Sequence, residues 1–350
     1  MKKILIIGFG LIGGSLAKSL KKLDFIEQIA GFDINSQTLR EAKKLDVIDK
    51  IFNFEQKLTN YDLIAVCSPL ASYHDVFEKL SLSLISCEKK PIIIDLGSLK
   101  SFIQKEIPQN LTENFIACHP IAGSELSGFE NSVDDLFYGK KFIICQNKPN
   151  KNEDIKKVVN LFKKIGCDID FIDAVKHDEI YALVSHLPQF LSFLTKEFSP
   201  KNFENDMLKK NFRLDNSNEK IWGEIFALNE KNIEKFYVEF YENLLYFAQD
   251  LEEQKFDEIV QNIAKIAKTL PKNTKNLPKI AKNDKNITKI LFRLIIVASY
   301  VKINDVKDYL NYTGSGFNDF SSIIFLLQNN NLSQLFEEFG DEILELIDKI

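Results

Sequence analysis

The sequence of 350 residues is poor in several residue types that mark particular classes of protein. Only three of its 45 basic residues are arginines, it has four histidines and one tryptophan, and its net charge is −5. Such a charge, with a pI near 5.6, gives no general attraction to nucleic acid or to an anionic membrane surface. We therefore expect small molecules, or a second copy of the chain, as partners.

Signs of disulfides, metal centres and membrane spans are also lacking. The cysteines number five and none forms a C-x-x-C pair, as is typical of reduced thiols in a cytoplasmic protein. No two histidines or cysteines have the spacing of metal ligands, so no metal is expected. The longest late apolar run, residues 290–301, is about half a membrane span and contains Arg293. No segment is expected to cross a bilayer.

The pattern of apolar residues changes character near residue 173. Before it, short apolar runs such as KILIIG, DLIAVCSP and PIIIDLGS alternate with amphipathic segments of helical length. This alternation predicts βαβ units and a doubly wound, mostly parallel sheet, which is a Rossmann-like α/β dinucleotide-binding domain over residues 1–173. After it the periodicity is helical, with one long helix over residues 218–251, which predicts an all-α domain over residues 174–350. A helical domain appended to a dinucleotide-binding fold usually closes the cleft or forms a dimer, so we expect a dimerisation and substrate domain.

A Lys/Asn/Pro-rich segment, residues 268–286, interrupts the helical half. A basic nucleic-acid patch is one interpretation, but the segment has no aromatic residues on which bases could stack. We predict a solvated linker.

A glycine-rich motif follows the first apolar run and opens a helix. The glycines of GFGLIG permit a tight turn and a close approach of backbone to a pyrophosphate, which binds the helix N-terminus. Asp33 ends the second strand 20 residues past Gly13, where a carboxylate accepts the adenosine ribose hydroxyls and repels a 2′-phosphate. The pattern therefore predicts NAD as cofactor, bound by Gly8, Gly10, Leu11, Ile12, Gly13 and Asp33.

Small and hydroxylated residues end further strands of the predicted sheet. Ser68 and Pro69 follow one strand and Ser98 follows the next. Ligands of open α/β sheets bind beyond the carboxyl ends of strands, so all three are candidates for the cofactor cleft. Ser98 has an equally good alternative role as the N-cap of the helix that follows it.

Histidines stand at two informative places. His119 follows the apolar strand FIAC and precedes a small-residue turn, where a neutral imidazole can accept a proton from a substrate hydroxyl. His186 lies in an apolar helical segment that Pro188 bends. The other two, His74 and His177, lie in polar contexts at helix starts, so we expect them to be solvated.

Taken in order, the motifs GFGLIGGS, DLGSLK, HPIAGSE and SHLPQ resemble those of the prephenate dehydrogenase family, from residue 1 to about residue 250. That family joins a dinucleotide-binding domain to a helical dimerisation domain, so a homodimer is implied. The resemblance implies that His119 takes the proton of the ring hydroxyl of prephenate and that Ser98 hydrogen-bonds near it. It places Glu125 at the mouth of the site and His186 along the substrate pocket.

The family also uses an arginine, nine residues before a tryptophan, to bind a substrate carboxylate. Arg213 precedes Trp222 by nine residues, and a bidentate grip is a task that lysine performs poorly. The family's glycine-rich turn at that arginine is missing from MLKKNFRLD, whereas GSGFNDFSSI at residues 314–323 resembles the turn but has Ser322 in place of the arginine. Either segment is a candidate for the pocket.

The function that the resemblance implies is NAD-dependent oxidative decarboxylation of prephenate to 4-hydroxyphenylpyruvate, a step of tyrosine biosynthesis. Three alternatives stay open at this point. They are arogenate dehydrogenase, another two-domain NAD(P)-dependent reductase, and a protein that senses NAD without catalysis.

Overall fold

A computed structural model describes residues 1–124, 126–146, 149–201, 206–270, 286–328 and 331–350. The described chain forms two compact units. The first comprises Met1–Asp178 and Asn218–Leu228, and the second comprises Glu179–Ser217 and Asn229–Ile350.

The first unit is built on a sheet of eight strands in the order β3-β2-β1-β4-β5-β6-β7-β8. All neighbouring strands are parallel except β6 and β7. The strands are β1 Lys3–Ile7, β2 Gln28–Phe32, β3 Lys50–Ile51, β4 Leu63–Val66, β5 Ile92–Asp95, β6 Phe115–Pro120, β7 Lys141–Cys145 and β8 Asp168–Phe171. The central strands are fully buried because their residues are almost continuously apolar, as expected for a covered parallel sheet. The prediction of a doubly wound sheet is confirmed.

Helices alternate with these strands and complete the core. They are α1 Leu11–Lys21, α2 Ser36–Lys44, α3 Tyr73–Leu84, α4 Lys100–Glu106 and α5 Asn152–Ile165. Apolar side chains of α1 and α5, including Leu16, Leu20 and Phe162, join those of the strands in one buried cluster. Gly166 ends α5 in the left-handed conformation, where a glycine is favoured at a helix C-terminus.

The rest of the described chain is helical, and no strand follows β8 in it. The helices are α6 Ala174–Tyr181, α7 Leu187–Leu194, α8 Asp206–Asn211, α9 Glu219–Leu228, α10 Glu230–Glu252, α11 Phe256–Ala267, α12 Ile287–Val301, α13 Ser315–Ser321 and α14 Leu332–Ile347. The prediction of an all-α second half is confirmed. The single long helix predicted over residues 218–251 is wrong, because the chain breaks at Asn229 between α9 and α10.

Helix α9 belongs to the first unit although the chain on both sides of it belongs to the second. It contacts the short helical turn Leu70–Ser72, and the Glu224 carboxylate accepts the Ala71 amide at 3.2 Å. Most of the linker predicted at residues 268–286 lies outside the described residues. None of the helices in the described ranges is both long and apolar enough to cross a membrane.

Candidate active site

The glycine-rich turn after β1 requires glycine at two positions. Gly8 has a φ of +93°, and a Cβ there would lie 2.6 Å from the Ser68 amide nitrogen. A Cβ on Gly13 would lie 1.9 Å from the Gly8 carbonyl oxygen. A Cβ on Gly10 would meet no atom within 4 Å, so this glycine faces open space where a ligand can approach the backbone.

Asp33 fixes the shape of this turn from the end of β2. One carboxylate oxygen accepts the Phe9 amide at 2.6 Å, and the other accepts the Asn35 amide at 2.7 Å. Helix α1 begins after Gly10 without a side-chain cap and has no acidic residue in its first turn, where Leu11 and Ile12 are half-buried. An uncapped helix N-terminus beside a glycine turn and a carboxylate fits the pyrophosphate and ribose of a dinucleotide.

Parallel strands bring the other predicted residues of the first unit to the same edge of the sheet. Val66 pairs with Asp95, so the carboxyl ends of β4 and β5 are level; Asp95 pairs with Ala117, and β6 continues beyond this point to Pro120. Ser68 and Ser98 follow the ends of β4 and β5 within a few residues, and His119 is the penultimate residue of β6. The Ser68 hydroxyl accepts the Ser72 hydroxyl at 2.8 Å, and Pro69 begins the turn to α3.

His119 is half-buried at the end of β6 and contacts a second histidine. Its Nδ1 lies 2.9 Å from Nε2 of His177, with the rings edge to face. The expectation that His177 is solvated is wrong, since its side chain is fully buried. The expectation for His74 is confirmed, because that ring is exposed and its Nδ1 lies 3.2 Å from the Glu106 carboxylate.

A buried ion pair that was not predicted supports the backbone under His119. The Asp95 carboxylate pairs with the Lys100 ammonium, and both side chains are fully buried. Asp95 also accepts the Cys118 amide at 3.1 Å, and Lys100 donates to the Cys118 carbonyl. The pair therefore holds both backbone polar groups of the residue before His119. Both charges lie within the motif DLGSLK, but no local pattern in the sequence indicates that they pair.

Ser98 does not cap helix α4. The N-cap residue is Leu99, and the first amides of the helix, those of Lys100 and Ser101, donate to the Asp178 carboxylate at 2.8 Å each. The N-cap interpretation of Ser98 is therefore wrong, and the residue is a half-buried hydroxyl at the carboxyl end of β5.

In the second unit, His186 is buried at the end of a π-helical turn. This turn, Ala182–His186, joins α6 to α7, and Pro188 lies in the first turn of α7. Local π-helical geometry is frequent at functional sites. The side-chain amide of Asn229 donates to Nδ1 of His186 at 3.0 Å, so the proton of the neutral ring is on Nε2.

Both candidates for the substrate pocket of the second unit lie together. Nε of Arg213 donates to the Asp319 carboxylate at 2.6 Å, and Nη2 donates to the Ser315 hydroxyl at 3.3 Å. Both acceptors belong to α13, within the segment 314–322 that resembles the family's glycine-rich turn. Ser322, which stands where that turn has its arginine, is buried and donates to the Asp319 carbonyl. The segment around Arg213 and the segment 314–322 are therefore in direct contact within the second unit.

Two further predictions concern Glu125 and the binding of a metal. Glu125, predicted at the mouth of the site, lies outside the described residues. Over the described ranges, no group of three or more His, Cys, Asp and Glu side chains is arranged to hold a metal ion.

The sheet, the glycine turn and the carboxylate after β2 together define a dinucleotide-binding protein of the doubly wound α/β class. The family model for the nucleotide-binding domain of prephenate dehydrogenase matches residues 16–170, and the model for its dimerization domain matches residues 173–265. The chain belongs to the prephenate dehydrogenase family.

Curated and solved relatives agree with this family. A cyclohexadienyl dehydrogenase of Zymomonas mobilis is 28% identical over 194 residues, which cover 55% of this chain and 65% of the relative. A prephenate dehydrogenase of Bacillus subtilis is 29% identical over 192 residues, or 54% of this chain and 51% of the relative. The matches thus span about half to two thirds of the curated relatives. A crystal structure of prephenate dehydrogenase from A. aeolicus in complex with hydroxyphenyl propionate and NAD+ is 28% identical, with a TM-score of 0.69, and covers 76% of this chain and 96% of that one.

Proposed function

We propose that this protein is an NAD-dependent dehydrogenase that converts prephenate to 4-hydroxyphenylpyruvate, with His119 as the proton acceptor. The observation that carries the proposal is the half-buried imidazole of His119 at the edge of the sheet that also carries the glycine turn and Asp33. A base at that edge lies where a ligand of an α/β sheet binds.

The reaction needs one base and good orientation. NAD, when bound, accepts a hydride from the ring carbon that carries the substrate hydroxyl. His119 takes the hydroxyl proton as that hydride leaves, and loss of CO2 makes the ring aromatic. The proton returns to the phenolic oxygen, so the net reaction releases none. Ser98, at the same sheet edge, hydrogen-bonds the reacting hydroxyl or the imidazole in this proposal.

Substrate binding is assigned to the residues that the sequence singled out. Arg213 is assigned to bind a substrate carboxylate through its guanidinium, which is held in place by the bonds from Nε to Asp319 and from Nη2 to Ser315. His186, whose Nδ1 lies 3.0 Å from the side-chain nitrogen of Asn229, is assigned to line the substrate pocket. Glu125 keeps its proposed place at the mouth of the site.

An absorbance assay of NADH formation tests the function directly. Purified protein is given NAD with prephenate, and then arogenate and NADP in turn. The proposal expects turnover with prephenate and NAD. Faster turnover of arogenate would favour arogenate dehydrogenase, which matters because the curated relatives carry two different dehydrogenase names. Tight NAD binding without turnover of either acid would favour the non-catalytic alternative and overturn the proposal.

Gly10→Ala is expected to weaken NAD binding at least tenfold while leaving the melting temperature within a few degrees of the wild type. The added methyl meets no protein atom within 4 Å, so folding tolerates it, but it occupies the space through which the pyrophosphate reaches the backbone. Isothermal titration with NAD measures the loss. Gly223→Ala, in which the added methyl also meets no atom, is the matched control, and equal NAD affinity of both variants would contradict the placement of the pyrophosphate.

We infer a homodimer formed through the helical part matched by the dimerization-domain model. Helix α10 lies within that match and exposes Val238, Tyr241 and Leu245, which share one face by their helical spacing. Glutamate at both Tyr241 and Leu245 is expected to shift the protein to monomer in size-exclusion chromatography with light scattering. Persistence of a dimer in that double variant would exclude this face as the contact.

We propose a cytoplasmic location because the cysteine thiols are not joined in disulfides. All five cysteines lie within the described residues and are free, as expected in a reducing compartment.

A further inference from the structure

Three side chains of the first unit form a continuous hydrogen-bonded chain that ends on His119. Nδ1 of His119 lies 2.9 Å from Nε2 of His177, and Nδ1 of His177 lies 2.9 Å from a carboxylate oxygen of Asp178. That carboxylate also accepts the amides of Lys100 and Ser101 at the start of α4. The far end of the chain is therefore anchored to the backbone of an element of the sheet domain.

The direction of each hydrogen bond follows from the carboxylate. Burial opposes ionisation of Asp178, but hydrogen bonds from His177 and the two backbone amides outweigh it and lower the pKa of the carboxyl. An ionised carboxylate only accepts, so Nδ1 of His177 carries a proton and donates it. Burial lowers the pKa of His177 to about 4 against the opposing effect of Asp178, and the positive charge of Lys100 acts in the same direction as burial.

A neutral His177 has a single ring proton. Since that proton is on Nδ1, its Nε2 is an acceptor, and Nδ1 of His119 must be the donor across the 2.9 Å contact. When His119 is neutral, its lone pair is then on Nε2. The state of the carboxylate thus determines which nitrogen of His119 can take a proton.

We propose that His177, oriented by Asp178, is a positioning residue that fixes the proton of His119 on Nδ1 and so presents Nε2 as the base. The inference rests on the proposed role of His119 as proton acceptor. It has two consequences for the reaction. The ring is held in one tautomer and one orientation, and the imidazolium that forms on proton transfer keeps an acceptor for its Nδ1 proton.

Two substitutions of His177 separate this role from simple packing. Glutamine places an amide oxygen near the position of Nε2 and can still accept from His119. Asparagine reaches only the position of Nδ1, where it can still donate to Asp178 but leaves His119 without its acceptor. We expect His177→Asn to lower kcat about 10- to 100-fold with unchanged NAD affinity, as part of the contribution of a general base. His177→Gln is expected to recover most of that loss.

The pH dependence supplies a readout that packing would not move. Loss of the acceptor makes the imidazolium of His119 less stable and lowers its pKa, so the acid limb of kcat/KM in His177→Asn should shift to lower pH. His74→Asn, at an exposed histidine, is the control and should change neither rate nor profile. Equal loss in the Asn and Gln variants, or an unmoved acid limb in His177→Asn, would overturn the proposal.

A measurement on the wild type keeps the test independent of activity and of how the variants fold. Nitrogen-15 NMR of histidine-labelled protein at neutral pH should show His119 protonated on Nδ1. A ring protonated on Nε2 would overturn the inference even in an active enzyme. A wild type with the expected tautomer but no turnover of prephenate or arogenate would instead refute the proposed function and leave the hydrogen-bonded chain intact.

Discussion

His119→Asn is expected to bind NAD as the wild type does and to lose turnover by about two to four orders of magnitude. That is the usual share of a general base, and it corresponds to about 3 to 5 kcal/mol of transition-state stabilisation. Asparagine can still donate to Nε2 of His177 from the position of Nδ1, but it has no basic atom at the position of Nε2. Steady-state kinetics and NAD titration of the same preparation separate the two effects.

Chemical rescue distinguishes a lost base from a disturbed fold. His119→Ala leaves a gap at the end of β6, and added imidazole should restore part of the rate with a dependence on its ionisation state. A His119→Asn variant with turnover within tenfold of the wild type would remove the residue from the chemistry and with it the proposed mechanism.

The second large effect concerns stability, and it comes from the buried arginine of the helical unit. Arg293 is only 1% exposed; its Nη2 lies 2.9 Å from the Asp215 carboxylate, and its guanidinium lies 4.5 Å from the ring centroid of Phe212. The hydroxyls of Ser192 and Ser199 also accept hydrogen bonds from this guanidinium, so Arg293 forms one cluster with Asp215, Phe212 and the two serines.

Arg293→Ala is expected to lower the free energy of unfolding by about 3 to 5 kcal/mol, because it leaves the Asp215 carboxylate buried without its counter-charge. Arg293→Lys should also destabilise, since a single ammonium cannot replace the planar fork that contacts the carboxylate and an aromatic ring together. This explains the retention of arginine here in a chain that otherwise uses lysine. Urea unfolding followed by circular dichroism measures both variants.

Arg40→Ala is the matched control for this prediction. Arg40 is exposed, and its guanidinium donates to the Gln37 side chain on the same helix. Its removal should change stability by less than about 0.5 kcal/mol. An Arg293→Ala variant as stable as Arg40→Ala would show that the buried cluster contributes little to the fold.

The sheet was predictable because its signal is local. Runs such as LIAV and IIID are apolar throughout, and helical segments separate them, so the alternation alone indicates a parallel sheet. The break at Asn229 was not predictable, because the apolar spacing continues from α9 into α10 and each helix belongs to a different unit. Which unit buries a helix face is decided by tertiary contacts, which periodicity does not contain.

Residues of the candidate site could be predicted only where a short motif or a single characteristic residue type in the sequence indicates their chemistry. The glycine turn and Asp33 form one motif, and His119 stands at a strand end. His177 was misjudged because its neighbours in sequence are polar, whereas its burial depends on a strand 58 positions earlier. The ion pair of Arg213 with Asp319 joins positions 106 apart, and no local pattern indicates it.

Helix α9 has a consequence for attempts to divide the protein. The chain passes from one unit to the other at three places, Asp178/Glu179, Ser217/Asn218 and Leu228/Asn229, so no single proteolytic cut yields two intact halves. A fragment that ends at Asp178 lacks a helix of its own fold, and the turn at Leu70–Ser72 loses the carboxylate that binds the Ala71 amide. Fragment complementation should therefore succeed when a peptide of residues 218–228 is added to the fragment 1–178, because the peptide supplies the helix that the cut leaves on the other fragment.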